Sequence, residues 1–261
     1  MDSAASEPFD AGTEATLVGG EPLLDARALE WISVLRERGA DKIGVWTDGR
    51  VLASKGAAEK LRDAGLTDVG VVLLGADAAA HDFVAGGPKR FAAALRGLRW
   101  ARRAGLRTTV VAPVLRPTFR DLPLLVQRAL AIGVERFDFV GLAGPDRREH
   151  GLIPHLAIAA AHVDAAIRTA RRHRRQARAW QLPPCLLAPD VRDAAREIGN
   201  AFGQQDMVVG ENPAGLRHSH IAACTGCELR SSCDGPLESY VAQHGSGGLV
   251  AVIAAIPSAA V

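Results

Sequence analysis

Two rhythms of apolar and polar positions alternate along this chain. Short apolar runs at 15–19, 43–46, 69–74, 108–114 and 137–142 have the length of strands. The run at 69–74 is apolar throughout, as expected for a strand buried on both faces. Between the runs, apolar residues recur three, four, seven and eight positions apart. Leu24, Ala28, Trp31, Ile32 and Leu35 predict a helix over 23–38 that stops at Gly39. A short helix is predicted over 56–64, ending at Gly65. Phe91, Ala94, Leu95, Leu98 and Ala101 mark a third helix, closed by Gly105. Leu122, Leu125, Val126 and Ala129 mark a fourth, closed by Gly133. Residues 75–88 read as a loop, and 155–178 as a long last helix.

A strand–helix unit repeated about five times predicts parallel strands joined by right-handed helical crossovers. The pattern fits a doubly wound sheet or a barrel. Either gathers the segments after the strands on one rim, where ligands bind. That rim would collect Gly19, Gly20, Glu21 and Pro22, then Thr47, Asp48 and Gly49, then Gly75, Ala76 and Asp77, then residues 113–116 and 141–145. The expected organisation is a lead-in at 1–14, a βα array at 15–180 and a Cys-rich region at 181–261. Burial is expected for Val71, Leu73, Val110, Val111, Phe139 and Val140.

Composition narrows the function classes. The 261 residues carry 31 basic and 29 acidic side chains, a net charge of +2. No chain-wide field for nucleic acid or an anionic membrane follows from that balance. The longest apolar run, 249–256, falls short of the roughly 20 residues that span a bilayer. Residues 1–14 lack the basic and apolar regions of a secretory signal. The expectation is a cytoplasmic protein with reduced thiols, which favours metal ligation over disulfides.

The strongest local signal is Cys224, Cys227 and Cys233, with Cys185 as a distant fourth. Two cysteines two residues apart can turn their sulfurs toward one centre, and four thiolates suit zinc or an iron–sulfur cluster. His218 and His220 are alternative ligands ranked below Cys185. The two glycines before Glu21 permit close backbone approach to a ligand, although a plain βα turn explains them equally well. His81 and Asp82 could act as a base and its orienter; a structural hydrogen bond is the simpler role. Arg116 or Arg120 could hold a carboxylate, against a default of solvated loop arginines. Arg168, Arg171, Arg172, Arg174, Arg175 and Arg178, with His173, form a basic cluster assigned to the solvated face of the last helix.

Together these motifs resemble the radical S-adenosylmethionine (radical SAM) superfamily. The resemblance rests on Gly19-Gly20-Glu21-Pro22, Thr47-Asp48-Gly49, and Gly75-Ala76-Asp77 with His81-Asp82. The tail, Cys185 then Cys224, Cys227 and Cys233-Asp234-Gly235-Pro236 with Tyr240 and Gly245, resembles the SPASM and Twitch extensions of peptide-modifying members. The resemblance implies a partial (β/α)6 TIM-like barrel. It implies that Gly19, Gly20, Glu21 and Pro22 meet the amino group of S-adenosylmethionine. Thr47, Asp48, Gly75, Asp77 and Arg116 would meet its other parts. Cys185, Cys224, Cys227 and Cys233 would hold one auxiliary [4Fe–4S] cluster, with zinc as the alternative metal. Members cleave the sulfonium reductively to a 5′-deoxyadenosyl radical, commonly to modify a ribosomally made peptide.

The chain departs from the family pattern in three places. No cysteine precedes Cys185, so the CxxxCxxC loop is absent. Asp48 stands where asparagine is usual, and Gly75 where serine often sits. The strand ending at Gly19 would then be the second of six, with five visible. Three readings follow: a shortened radical SAM enzyme, a degenerate partner or scaffold that keeps only the auxiliary cluster, and an α/β protein with a structural four-cysteine zinc site. A peptide substrate or a partner enzyme is expected as the binding partner.

Overall fold

In a computed structural model, residues 9–141, 151–196, 207–209 and 217–253 are described. The strands are β1 (Glu14–Leu17), β2 (Lys42–Thr47), β3 (Asp68–Val72), β4 (Arg107–Val114), β5 (Arg136–Gly141), β6 (Gln176–Trp180), β7 (Ala195–Arg196) and β8 (Met207–Val209). The helices are α1 (Ala28–Glu37), α2 (Ala57–Ala64), α3 (Ala78–Ala85), α4 (Arg90–Arg103), α5 (Leu122–Ile132), α6 (Leu156–Arg172) and α7 (Glu238–His244).

Strands β1 to β6 are parallel neighbours in sequence order and form a half-barrel. The amphipathic helices pack one face against the sheet. In α4, Phe91, Ala94, Leu98 and Ala101 are buried while Arg96, Arg99, Arg102 and Arg103 are exposed. This is the helical period expected of a crossover that buries one stripe. One apolar core joins the sheet to the tail, because Leu237, Tyr240 and Leu249 belong to the same buried cluster as Val71 and Phe139. The Tyr240 hydroxyl accepts the Leu156 N–H at 3.0 Å and so ties α7 to the start of α6.

Four expectations need correction. The long last helix ends at Arg172, and residues 176–180 form a sixth parallel strand. Arg178 therefore lies on β6, and the basic cluster does not share one helix face. Arg168 pairs with Asp190 at 2.6 Å, and Arg171 with Asp193 at 2.8 Å. Residues 78–85 are helical, so His81 and Asp82 lie on α3 rather than in a loop. Val140 is half-buried, whereas Val71, Leu73, Val110, Val111 and Phe139 are buried. The outer edge of β1 is covered as well. Met207–Val209 from the tail pairs parallel with it, Ala15 beside Met207 and Leu17 beside Val209. Covering an edge removes a row of unpaired backbone groups.

The floor of the half-barrel, at the N-terminal ends of the strands, is built from charge pairs between register partners. Glu14 pairs with Lys42 across β1 and β2. Asp68 holds Arg107 through two bonds of 2.6 and 2.9 Å. Asp138, 1% exposed, holds Arg178 through bonds of 2.7 and 2.6 Å. A bidentate pair of this kind fixes the side chains in one orientation. It also fixes the register of neighbouring strands, because a slip by one residue would point each charge to the apolar face.

Candidate functional site

The rim opposite that floor begins at the turn after β1. Gly19 and Gly20 have φ of 95° and 56°, backbone values that favour glycine. Space around Gly20 is open, since an added Cβ would meet nothing within 4 Å. What the position requires is therefore the left-handed backbone. Glu21 then caps the 3-10 turn Pro22–Leu24 and reaches across to the end of β2. Its carboxylate accepts the Thr47 hydroxyl at 2.6 Å and the Asp48 N–H at 2.6 Å. Burial pushes the Glu21 carboxyl up, the bonds from Thr47 and Asp48 pull it down, and the net shift is upward. Burial also acts upward on Asp48, but there the Arg50 N–H and guanidinium outweigh it and hold the carboxyl below its ordinary value.

The second turn is pressed into place by α4. Gly97 on that helix lies against the Gly49 carbonyl, and a Cβ at 97 would come within 2.4 Å of that oxygen. Thr47 is buried, and its hydroxyl also accepts the Gly49 N–H at 3.1 Å. Thus Glu21, Thr47 and Gly49 lock two consecutive strand ends into one unit.

Gly75 and Asp77 do a different job from Glu21. Asp77 caps α3 by accepting the Ala80 N–H at 2.9 Å. Arg128 on α5 donates to the Ala76 carbonyl at 2.5 Å. A Cβ at Gly75 would lie 2.7 Å from the His81 backbone nitrogen and 2.8 Å from the Ala80 Cβ. The glycine found where the family often has serine is therefore required by the approach of α3. Gly75→Ser is expected to cost about 1–3 kcal/mol by overpacking, read as a lowered urea midpoint. An unchanged midpoint would mean that α3 gives way freely.

Arg116 follows β4. Its N–H donates to the Leu152 carbonyl at 2.7 Å. Its side chain is exposed and makes no ion pair among the described residues. The structure thus brings Gly19, Gly20, Glu21, Pro22, Thr47, Asp48, Gly75, Asp77 and Arg116 to the C-terminal ends of four successive strands. Residues 142–145 of the expected rim lie outside the described residues. His81 and Asp82 do not form a dyad. The His81 Nδ1 accepts the Leu74 N–H at 3.0 Å, and burial pushes the ring below its ordinary pKa. The Asp82 carboxylate accepts the Lys89 and Phe91 N–H groups at 2.6 and 2.7 Å, where it supports the start of α4.

Cys185 lies in the 3-10 turn Pro184–Leu186 after β6, and neither it nor Cys224, Cys227 or Cys233 is in a disulfide. Burial pushes the Cys185 thiol up, a Val250 N–H bond acts against it, and Cys224 and Cys227 are close enough to push it further. The Val252 N–H donates to the Cys227 Sγ at 3.4 Å, and the Gly235 N–H to the Cys233 Sγ at 3.4 Å. The extended C-terminal segment thus presents alternate N–H groups to two of the sulfurs, and bonds of that type favour the thiolate. Among the described residues, no group of three or more His, Cys, Asp or Glu is arranged to hold a metal ion. The donor types therefore suit a soft metal, but the sulfurs are not closed on one centre. His220 is engaged with the Cys233 carbonyl at 2.7 Å.

Comparison with known proteins defines the class. Residues 4–129 match the model of the Radical SAM superfamily. The chain is similar to PqqA peptide cyclase of Rhodopseudomonas palustris (strain ATCC BAA-98 / CGA009), with 32% identity over 123 residues. That match takes in 46% of this chain and 31% of the relative, so the chain matches under a third of the relative's length. The fold is similar to Streptococcus suis SuiB bound to S-adenosylmethionine, with a TM-score of 0.50 and 15% identity over 62% of this chain and 36% of that one. It is also similar to native anSMEcpe with bound AdoMet and Cp18Cys peptide, with a TM-score of 0.51 and 16% identity over 63% of this chain and 50% of that one. These likenesses show the partial TIM barrel. No helix among the described residues is long and apolar enough to cross a membrane.

Proposed function

We propose that this protein is a radical SAM-family iron–sulfur protein, related to the peptide-modifying maturases, that binds S-adenosylmethionine at the rim and acts with a peptide. The observation that carries the reading is the match of residues 4–129 to the Radical SAM superfamily model, a stretch whose first two strand ends are joined through Glu21. The names of its relatives support the peptide. One is a peptide cyclase, one structure holds a Cp18Cys peptide, and SuiB has also been solved with the precursor peptide SuiA.

When bound, S-adenosylmethionine supplies a sulfonium whose cleavage is the chemistry of the family. The chain's own residues supply the seat. The left-handed backbone at Gly19 and Gly20 leaves room for close approach, and Glu21 holds that turn against Thr47 and Asp48. Arg116 offers a guanidinium for the cofactor's carboxylate. In the tail, Cys185, Cys224, Cys227 and Cys233 hold one [4Fe–4S] cluster once the four sulfurs draw together, with zinc as the competing metal. A second reading is a non-catalytic partner that keeps the cofactor seat and the tail cluster.

The test is calorimetric titration with S-adenosylmethionine across mildly acidic to neutral pH. An ammonium held at the Gly19–Gly20 turn favours the ionised Glu21 carboxylate. Affinity is expected to rise as pH rises through the raised Glu21 pKa, with proton release on binding. Glu21→Gln should weaken binding and flatten that profile. Absence of binding to the wild-type chain at any pH would sink the cofactor reading.

A further inference from the structure

An open groove of about 780 Å³ runs beside the rim, between α3, the segment after β4 and the start of α6. Its size falls in the range of ligand clefts, roughly 300–1,000 Å³. Two large apolar side chains stand out of its walls: Phe83 is 78% exposed and Ile158 is 59% exposed. Asp82, next to Phe83, is already spent on the Lys89 and Phe91 backbone. Isolated exposed apolar side chains need no explanation, but two that line one cleft make a contiguous surface of the kind that partners cover.

The groove is held in shape without a ligand. The Arg116 N–H bond to the Leu152 carbonyl ties its two sides together. Phe119 is buried at its base with its ring edge-on to His162, centroids 5.2 Å apart. The Arg120 guanidinium stacks over that same ring at 4.6 Å from its centroid. Stacking limits the conformations of Arg120 and so lowers the entropy lost when it takes a partner. Arg116 and Arg120 both line the groove, and none of the described residues that line it is a carboxylate. Among those described residues the charge is one-sided, and the apolar positions flank it.

From this arrangement we infer that the groove docks a peptide segment in which acidic side chains flank an apolar one. The acids meet Arg120, with Arg116 left to the cofactor's carboxylate, and the apolar side chain is received between Phe83 and Ile158. The inference rests on the peptide reading above and adds the chemistry that selects the peptide. Aromatic and arginine side chains at the centre of a contact carry most of its binding energy, so these few residues should dominate.

The experiment is fluorescence polarisation on the full chain. It uses a short labelled peptide with glutamates flanking a Leu-Phe pair, and its counterpart with lysines in their place. The wild-type chain is expected to prefer the glutamate peptide. Phe83→Ala and Ile158→Ala should each weaken it about tenfold, and Arg120→Glu should reverse the preference between the two peptides. Circular dichroism of each variant shows that it is folded. Equal affinity for both peptides, or Phe83→Ala and Ile158→Ala without effect, would overturn the inference. So would sedimentation showing a dimer that Phe83→Ala dissociates, since a second copy would then be the occupant. S-adenosylmethionine titration on the same samples separates the two failures. Binding of the cofactor with no groove-dependent peptide binding defeats only this inference, whereas loss of both defeats the function proposed above.

Discussion

Anaerobic reconstitution with iron and sulfide is expected to give the broad visible absorbance of a [4Fe–4S] centre, with about four iron atoms per chain. Cys227→Ser should abolish most of it. The expectation starts from the thiols. Thiolate is the softest side-chain ligand in the chain, and a soft ligand set selects iron–sulfur or zinc over hard cations. Cys227 has a backbone N–H from Val252 aimed at its sulfur, and Cys185 has one from Val250. Those donors stabilise negative charge on sulfur before any metal arrives. Serine keeps the hydrogen-bond acceptor but replaces a good iron ligand by a poor one, so the fold should survive while the cluster does not. Stoichiometric zinc with no uptake of iron would transfer the site to a structural role.

The second large effect is a negative one. With strong reductant and S-adenosylmethionine, the chain as given is expected to form no 5′-deoxyadenosine above a no-protein control. Cleavage needs an electron delivered at the sulfonium, hence a cluster beside the Gly19–Gly20 turn at the end of β1. All four cysteines fall at or beyond residue 185. The first of them follows β6, five strand positions away around the sheet from β1. Cys224 and Cys227 lie within electrostatic reach of that same thiol. A tail strand, β8, does reach the β1 edge. The strand carries no cysteine, however, so it closes the edge without bringing a redox centre there. Binding of the cofactor alone is not turnover. Cluster-dependent product would show that the tail supplies the electron after all. Product that appears only when a preceding CxxxCxxC segment is supplied would decide for a shortened enzyme over a non-catalytic partner.

Some elements could be read from the chain because their signals are local. The helices α1, α4 and α5 each carry an apolar stripe at helical spacing, and Gly39, Gly105 and Gly133 follow their ends. The first five strands are short apolar runs. β6 was missed because Gln176, Ala177, Arg178, Ala179 and Trp180 mix charge with small side chains. Its polar positions face partners on β5, and that pairing is invisible until the two strands lie side by side. α3 was missed because its alanine-rich start, Ala78 to Ala80, gives little contrast between faces, although Asp77 and Gly86 stand at its two ends as cap residues.

The candidate site divides along the same line. Residue types made the Gly19–Gly20 turn and the four cysteines candidates, because left-handed backbone and thiolate limit what a position can do, while Glu21 and Thr47 became cofactor candidates through the resemblance to the radical SAM superfamily. The partner of Glu21 is 26 residues away at Thr47, and the cysteines are divided between the turn after β6 and the tail. Which atoms meet across such gaps depends on strand register and on how closely helices approach the sheet. The charge pairs of the floor set that register, and the contact of Gly97 with Gly49 sets that approach. The sequence determined the first five strands, the helices α1, α2, α4 and α5 between them, and the chemical types on the rim, since these follow from neighbours along the chain. Only the tertiary structure decided that a side chain at Gly75 would crowd α3, that His81 serves Leu74 rather than Asp82, and that the tail covers β1. Each of those outcomes is a distance between residues held together by packing.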